Sequence, residues 1–265
     1  MRLKPHSDEW YDRLAQQQEG YYYPWKSKVA PYNGEDVFIQ MVEQELLRGE
    51  PQSKDVLDVG CGHGEVAIQI SPLSHSVLAY DRVAAYIELA EKAAEEQGAD
   101  NVRFVQAGSR AADRVRIPAE DNAFDLLISR RGPLHWLEDA RRVARPGAVI
   151  LMLNPMETQP PDWNAQLPEV LRLPEVGQRS MRQAVESHLS AGDLALHSCW
   201  TFDVPEIFAD TEQLYKRLSW GLAPDEAPPY TDLEPTLKSI FEQYGSKDGL
   251  ALRFRRFLWK AVVNH

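Results

Sequence analysis

The chain has 265 residues, with 29 Lys+Arg against 40 Asp+Glu for a formal charge of −11, and is 43% hydrophobic and 26% charged. This is the composition of a soluble globular protein that buries a core without covalent staples, and its two cysteines, Cys61 and Cys199, are too few for a disulfide scaffold or a four-thiolate zinc site. No apolar run approaches the roughly 20 residues that span a bilayer, the first residues lack an apolar signal core, and the acidic balance disfavours nucleic acid, so the expectation is a cytoplasmic protein without a membrane partner.

In chain order, residues 1–50 read as helical, broken by the aromatic stretch Tyr21-Tyr22-Tyr23-Pro24-Trp25 and by the turn Pro31-Tyr32-Asn33-Gly34. From residue 53 to 154, five short apolar runs alternate with helix-period segments. The runs are Asp55 to Val59, Val77 to Tyr80, Val102 to Ala107, Phe124 to Ser129 and Ala148 to Leu153. Glu65 to Ile70, Ala84 to Gln97 and Leu134 to Ala144 supply crossover helices. Runs that are apolar on both faces and joined by helices predict a doubly wound, mostly parallel α/β sheet. A proline-rich excursion follows Asn154. Then come a helix around Met181 to Leu189, a strand around Leu194 to Phe202, helices near Thr211 to Ser219 and Leu233 to Tyr244, and a strand near Ala251 to Val263. The two late strands bring the expected sheet to seven, with a helical insertion before the last. The count favours a single domain over 1–265: an N-terminal cap at 1–50, a core at 51–154, and a substrate-side insertion with closing strands at 155–265.

The strongest chemical signal is Val56-Leu57-Asp58-Val59-Gly60-Cys61-Gly62-His63-Gly64-Glu65, a strand that runs through alternate glycines into a helix. Glycine lets the backbone turn sharply and approach a ligand, and the following helix offers unpaired N–H groups. The G-x-G-x-G spacing differs from dinucleotide and phosphate loops, and no Lys-Ser or Lys-Thr follows. About 20 residues on, the next strand ends in Asp81, a carboxylate placed to accept ribose hydroxyls. At this point the chain resembles the class I S-adenosylmethionine-dependent methyltransferases. LDVGCGHG is similar to their first motif and Asp81 to their second-strand acid. Pro118 to Leu127 is similar to their entry into strand four, and Ala144-Arg145-Pro146-Gly147-Ala148 to their turn into strand five.

The resemblance implies S-adenosylmethionine as cofactor and S-adenosylhomocysteine as product. It places Asp58, Gly60, Cys61, Gly62 and Gly64 around the methionine part, Asp81 on the ribose, Arg82 or Val83 beside the adenine, and Ser129 at the cofactor's edge. After strand three the chain reads Gln106-Ala107-Gly108-Ser109, without the acid many members carry near the adenine amine, so either Ser109 or backbone groups make that contact. Cys61 reads as a small buried residue rather than a nucleophile, and the histidines show no metal spacing. The residues expected to face the methyl group are Ser129-Arg130-Arg131-Gly132-Pro133-Leu134-His135-Trp136, which lack the loop used on base amines. Arg130 and Arg131 either grip an anionic acceptor or pair with surface acids such as Glu138; His135 is the candidate base. Tyr22 and Trp25 either belong to a lid over substrate or pack an N-terminal helix. The expected function is methyl transfer to a small-molecule acceptor, mainly by proximity and orientation, with an anionic acceptor if the Arg130-Arg131 pair grips it. A methyltransferase for rRNA or tRNA bases and a non-catalytic cofactor-binding protein are the alternatives. Oligomeric state is not legible.

Overall fold

The computed structural model describes residues 8–18, 20, 22–108, 116–177 and 180–264. In chain order the elements are α1 (Asp8–Gln17), β1 (Lys28–Val29), α2 (Glu35–Leu46), β2 (Asp55–Val59), α3 (Glu65–Ile70), β3 (Ser76–Asp81), α4 (Ala84–Gln97) and β4 (Val102–Gln106). They continue with β5 (Phe124–Arg130), α5 (Leu137–Val143), β6 (Ala144–Met156), α6 (Met181–Ala191), β7 (Leu196–Phe208), α7 (Thr211–Ser219), α8 (Tyr230–Tyr244) and β8 (Leu250–Val262). The strand order is β1-β7-β8-β6-β5-β2-β3-β4. The fold is α/β as expected, but the sheet is mixed and has eight strands rather than seven. The additional strand is β1, antiparallel to β7 through Lys28↔Ile207 and Val29↔Glu206. Two residues are too few to leave a period in the sequence.

The chain divides into two compact units. The larger comprises Gly34–Met156, Arg179–Phe202 and Arg256–His265, and the smaller comprises Met1–Asn33, Glu157–Gln178 and Asp203–Arg255. In the larger unit β2 pairs in parallel with β3 on one side and β5 on the other, and β5 pairs in parallel with β6. Strand order therefore reverses between β2 and β5, and the segments after these two strands flank the crevice where ligands bind in open α/β sheets.

Alternation along the strands builds two cores. Val56, Leu126, Ile128, Leu151 and Leu153 pack with Phe38, Val42 and Leu46 of α2 and with α3 and α4. Leu57, Val59, Leu127, Ile150 and Met152 face Leu137 and Ala140 of α5 and Val185 and Leu189 of α6. Helices thus cover both faces, which is why the strands read as continuous apolar runs. β6 begins earlier than the apolar run suggests. Its register to β5 shifts from Phe124↔Ala144 to Leu126↔Val149, so Pro146 and Gly147 sit in a bulge instead of ending the strand. Ser180 caps α6 reciprocally with Gln183.

The smaller unit packs Trp163, Leu167, Phe208, Leu214, Leu218, Leu237 and Ile240 into its own core. Among the described residues its proline-rich segment holds two short 3₁₀ turns, Asp162–Gln166 and Glu169–Leu171. Asn164 pins that segment, accepting from the Leu173 N–H at 2.8 Å and donating to the Leu173 carbonyl at 3.1 Å.

Candidate active site

β2 feeds directly into the glycine loop. Gly60 and Cys61 both donate N–H to the Tyr80 carbonyl, at 2.9 and 3.1 Å, which folds the loop over the end of β3. Two glycines show different reasons for their presence. Gly62 has φ +56 and nothing within 4 Å of where a side chain would begin, so its backbone faces open space. Gly64 has φ +82, and a Cβ there would meet Phe104 at 2.7 Å and Ala90 at 2.8 Å, so it serves packing against β4 and α4.

Asp81 bridges the two motifs. One carboxylate oxygen accepts from Gly62 N–H at 3.0 Å and the other from Val83 N–H at 3.0 Å. Burial raises its pKa above the ordinary carboxylate value, against those amide bonds. Asp58, at the end of β2, is 2% exposed, and its Oδ2 has no hydrogen-bond partner among the described residues. Burial, opposed by Arg130 and aided by the Asp81 charge, pushes its carboxyl up to about 7. An orphaned buried oxygen costs on the order of 1–3 kcal/mol and is the mark of a site built for something else to bind. Burial and the Asp58 and Asp81 carboxylates raise the Cys61 thiol as well, which keeps it protonated and unreactive.

The segment after β5 closes the other side of the crevice. Ser129 is fully buried and donates its hydroxyl to the Val59 carbonyl at 2.7 Å, joining the ends of β5 and β2. Arg130 bonds Glu65 and lies 3.8 Å from Glu35. Arg131 adopts φ +66, a left-handed conformation rare for a side-chain-bearing residue, with its N–H on the Leu153 carbonyl at 2.7 Å and its guanidinium 3.5 Å from Glu35. Arg256 of β8 lies 3.3 Å from the same Glu35. The arginines thus have acidic neighbours, but not Glu138, which instead faces His188 at 3.1 Å. Glu35, in the first turn of α2, was not singled out from sequence; Gly34-Glu35-Asp36 ahead of an amphipathic helix is the signal it offered. His63 is half-buried, and burial, opposed by Glu65 and reinforced by Arg130 and Arg131, holds its imidazole below the usual value. His135 is half-buried in the turn before α5.

Arg82 is half-buried after β3, and its carbonyl accepts from Gln106 Nε2 at 3.4 Å. Ser109 and Tyr21 lie outside the described residues. Tyr22 and Trp25 belong to the smaller unit. Tyr22 is exposed, whereas Trp25 stacks on Tyr23 at 4.6 Å, contacts Trp220 edge-on at 5.7 Å and donates its indole N–H to the buried Glu206 at 2.7 Å. Among the described residues there is no metal-binding group of His, Cys, Asp and Glu, and no helix is long and apolar enough to cross a membrane.

A glycine loop at the strand-order reversal, with an acid closing each of the two adjacent strands, defines the class I S-adenosylmethionine-dependent methyltransferase fold. The comparisons agree: residues 56–156 match the family described as "Methyltransferase domain". The tRNA 5-carboxymethoxyuridine methyltransferase of Escherichia coli is 31% identical over 123 residues, 43% of this chain and 45% of that protein. The 2-heptyl-1-hydroxyquinolin-4(1H)-one methyltransferase of Mycobacteroides abscessus is 26% identical over 166 residues, 59% of this chain and 66% of that protein. The chain spans about half the length of the first curated relatives it matches. A Deinococcus radiodurans R1 protein of unknown function shares the fold with TM-score 0.64 and 22% identity, over 96% of this chain and 99% of that one.

Proposed function

We propose that this chain is an S-adenosylmethionine-dependent methyltransferase acting in the cytoplasm on a small-molecule acceptor. The observation that carries the reading is the buried, unpartnered Asp58 carboxylate together with the half-buried Asp81, which accepts from the open backbone at Gly62. Two acids with raised pKa values suit a ligand that brings positive charge and hydroxyl donors. On this reading the Asp58 Oδ2 takes the methionine ammonium and Asp81 the ribose hydroxyls. Gly60, Cys61 and Gly62 line the methionine chain, Arg82 lies beside the adenine, and Ser109 remains the candidate for the adenine amine. Residues 51–154 form the cofactor core, and 1–50 and 155–265 serve the acceptor as parts of the same enzyme.

The cofactor supplies an electrophilic methyl group on a sulfonium. The protein's residues then need to hold an acceptor atom in line with it and exclude water, an orientation effect worth roughly 7–11 kcal/mol. No dedicated base is required where the acceptor atom is already a good nucleophile. Ser129 and Gly132 fix the loop that meets the acceptor, and His135 remains the candidate base for a protonated one.

The charge of −11 and the quinolone-acting relative support a small acceptor; the tRNA-acting relative supports RNA as the second reading. Calorimetry against S-adenosylmethionine and NAD tests the cofactor, and binding of NAD alone would overturn the proposal. Labelled methyl transfer into a fractionated cell extract tests the acceptor. Counts in the metabolite fraction are expected; counts confined to RNA would replace the small-molecule reading, and no transfer at all would leave only a cofactor-binding protein.

A further inference from the structure

The cofactor crevice lies where the parallel strands end, and a second cavity lies where they begin. It is lined wholly by the larger unit and has a volume of about 580 Å³, inside the range of small-molecule pockets. The β6 bulge opens it. β6 advances from Ala144 to Val149 while β5 advances only from Phe124 to Leu126, so the extra residues swing out of the ladder. Among them Gly147 has φ +80 and nothing within 4 Å of where a side chain would begin, which leaves its backbone open to a ligand. The end of β8 holds the bulge from the far side, with Gly147 N–H on the Val263 carbonyl at 2.8 Å and Val263 N–H on the Ala148 carbonyl at 2.9 Å.

Charge in this cavity runs against the charge of the chain. A protein at −11 lines it with Arg48, Lys54, His197 and Lys260, from four separate segments, against the acids Glu45 and Asp125. Both acids are engaged by the fold. Asp125 accepts from the Asp55 N–H at 3.0 Å and pairs with Arg145, and Glu45 accepts from Lys260 at 2.6 Å and lies 3.2 Å from Arg48. Lys54 donates to the Glu45 backbone carbonyl instead. An ammonium carries three N–H donors, so Lys54 and Lys260 keep donors to offer after these bonds. Arg48 and His197 are exposed, and Val149 and Val262 add an apolar wall.

We infer that this cavity is a second ligand site, which takes a small organic anion: a carboxylate or phosphate monoester borne on an apolar body. Arg48, Lys54 and Lys260 meet the oxyanion, and the bulge with Val149 and Val262 meets the body. β5 runs from this site to the crevice, and Asp125 to Arg130 is ~17 Å at roughly 3.3 Å per residue. A molecule bound here is therefore too far from the crevice to accept a methyl group or to block the cofactor. It sits instead beside the start of the strand whose other end carries Ser129 and Arg130, the place of an accessory ligand rather than of a substrate. The inference does not depend on the methyltransferase reading.

The test is calorimetry on the full chain with benzoate, phenyl phosphate and inorganic phosphate, with and without saturating S-adenosylhomocysteine. Benzoate or phenyl phosphate is expected to bind at a single site, at least about 10-fold tighter than inorganic phosphate, and equally well when S-adenosylhomocysteine is present. The tighter of the two identifies the oxyanion. Lys54→Gln and Arg48→Gln are each expected to weaken that binding about 10-fold, which is ~1.4 kcal/mol, whereas Lys92→Gln, which removes a cation of α4 paired with Glu96, leaves it unchanged. Absence of binding by both aromatic anions, equal affinity for inorganic phosphate, competition by S-adenosylhomocysteine, or undiminished affinity in either cavity variant overturns the inference. If Lys54→Gln does not fold, Arg48→Gln, at an exposed side chain, decides alone. Failure of S-adenosylhomocysteine to bind counts against the cofactor reading and leaves the variant series to decide this one.

Discussion

Asp55 and Asp58 lie on the same short strand, one at each end, and experience opposite chemistry. Burial opposes ionisation at both. At Asp55 the Ser76 hydroxyl at 2.6 Å and Arg145 outweigh it, and the carboxyl is held below its ordinary value. Arg145 also reaches Asp125 at the start of β5, so one guanidinium clamps two parallel strands at their N-terminal ends. At Asp58 nothing comparable is present among the described residues, and the carboxyl is pushed up to about 7. The contrast separates the tasks of the sheet. One end pairs Asp55 and Asp125 with Arg145 for the sake of the fold, and the other leaves an acid hungry for a partner.

The sharpest way to break this comparison is Asp81→Ala, which removes the acid facing the crevice and releases the Gly62 and Val83 amides together. Affinity for S-adenosylhomocysteine is expected to fall at least about 100-fold, ~2.7 kcal/mol, with the thermal midpoint little changed. A loss of folding without a specific loss of binding would count against the division of tasks.

Asp58→Asn acts in the other direction on stability. A carboxyl whose folded pKa exceeds its unfolded one binds its proton more tightly in the native state. Its contribution is complete below about pH 4 and is lost as pH rises to about 7. Ligand-free Asp58→Asn is therefore expected to be more stable than wild type at pH 8, by about 2 kcal/mol after relaxation and water blunt the full cost, and equal to it near pH 4. Wild-type affinity for S-adenosylhomocysteine should rise with pH to a plateau above about 7, with proton release on binding, and the variant should show neither. Denaturant melts and calorimetry in buffers of different ionisation enthalpy read the two effects.

Arg145→Ala probes the satisfied end. With the guanidinium 38% exposed, solvent screening limits the loss to about 1–2 kcal/mol of stability, and cofactor affinity should not move. A drop in affinity equal to that of Asp81→Ala would show that the two ends are coupled.

Much of the cofactor end was legible because its signal is local. Asp58, the glycines and Asp81 sit within two strands and a turn, and α3, α4 and β2 run over the residues their apolar patterns predict. The reason for Gly64 was not legible, because Phe104 and Ala90 come from other elements. Nor was the neighbourhood of Arg130 and Arg131: Glu35 and Arg256 lie far away along the chain, and only the fold brings them to the same loop. The early start of β6 was hidden by Pro146 and Gly147, which read as breakers until a bulge accommodates them. In the smaller unit Trp25 and Tyr23 engage Trp220, a contact between segments distant in the chain that the aromatic run alone did not name.

Arg131 has a consequence for anyone who engineers this chain. Its left-handed backbone costs about 1 kcal/mol that glycine would return. Selection for heat resistance alone would therefore favour Arg131→Gly and discard the guanidinium along with the strain. A screen that rewards melting temperature alone would then remove the contact of Arg131 with Glu35 at the end of β5.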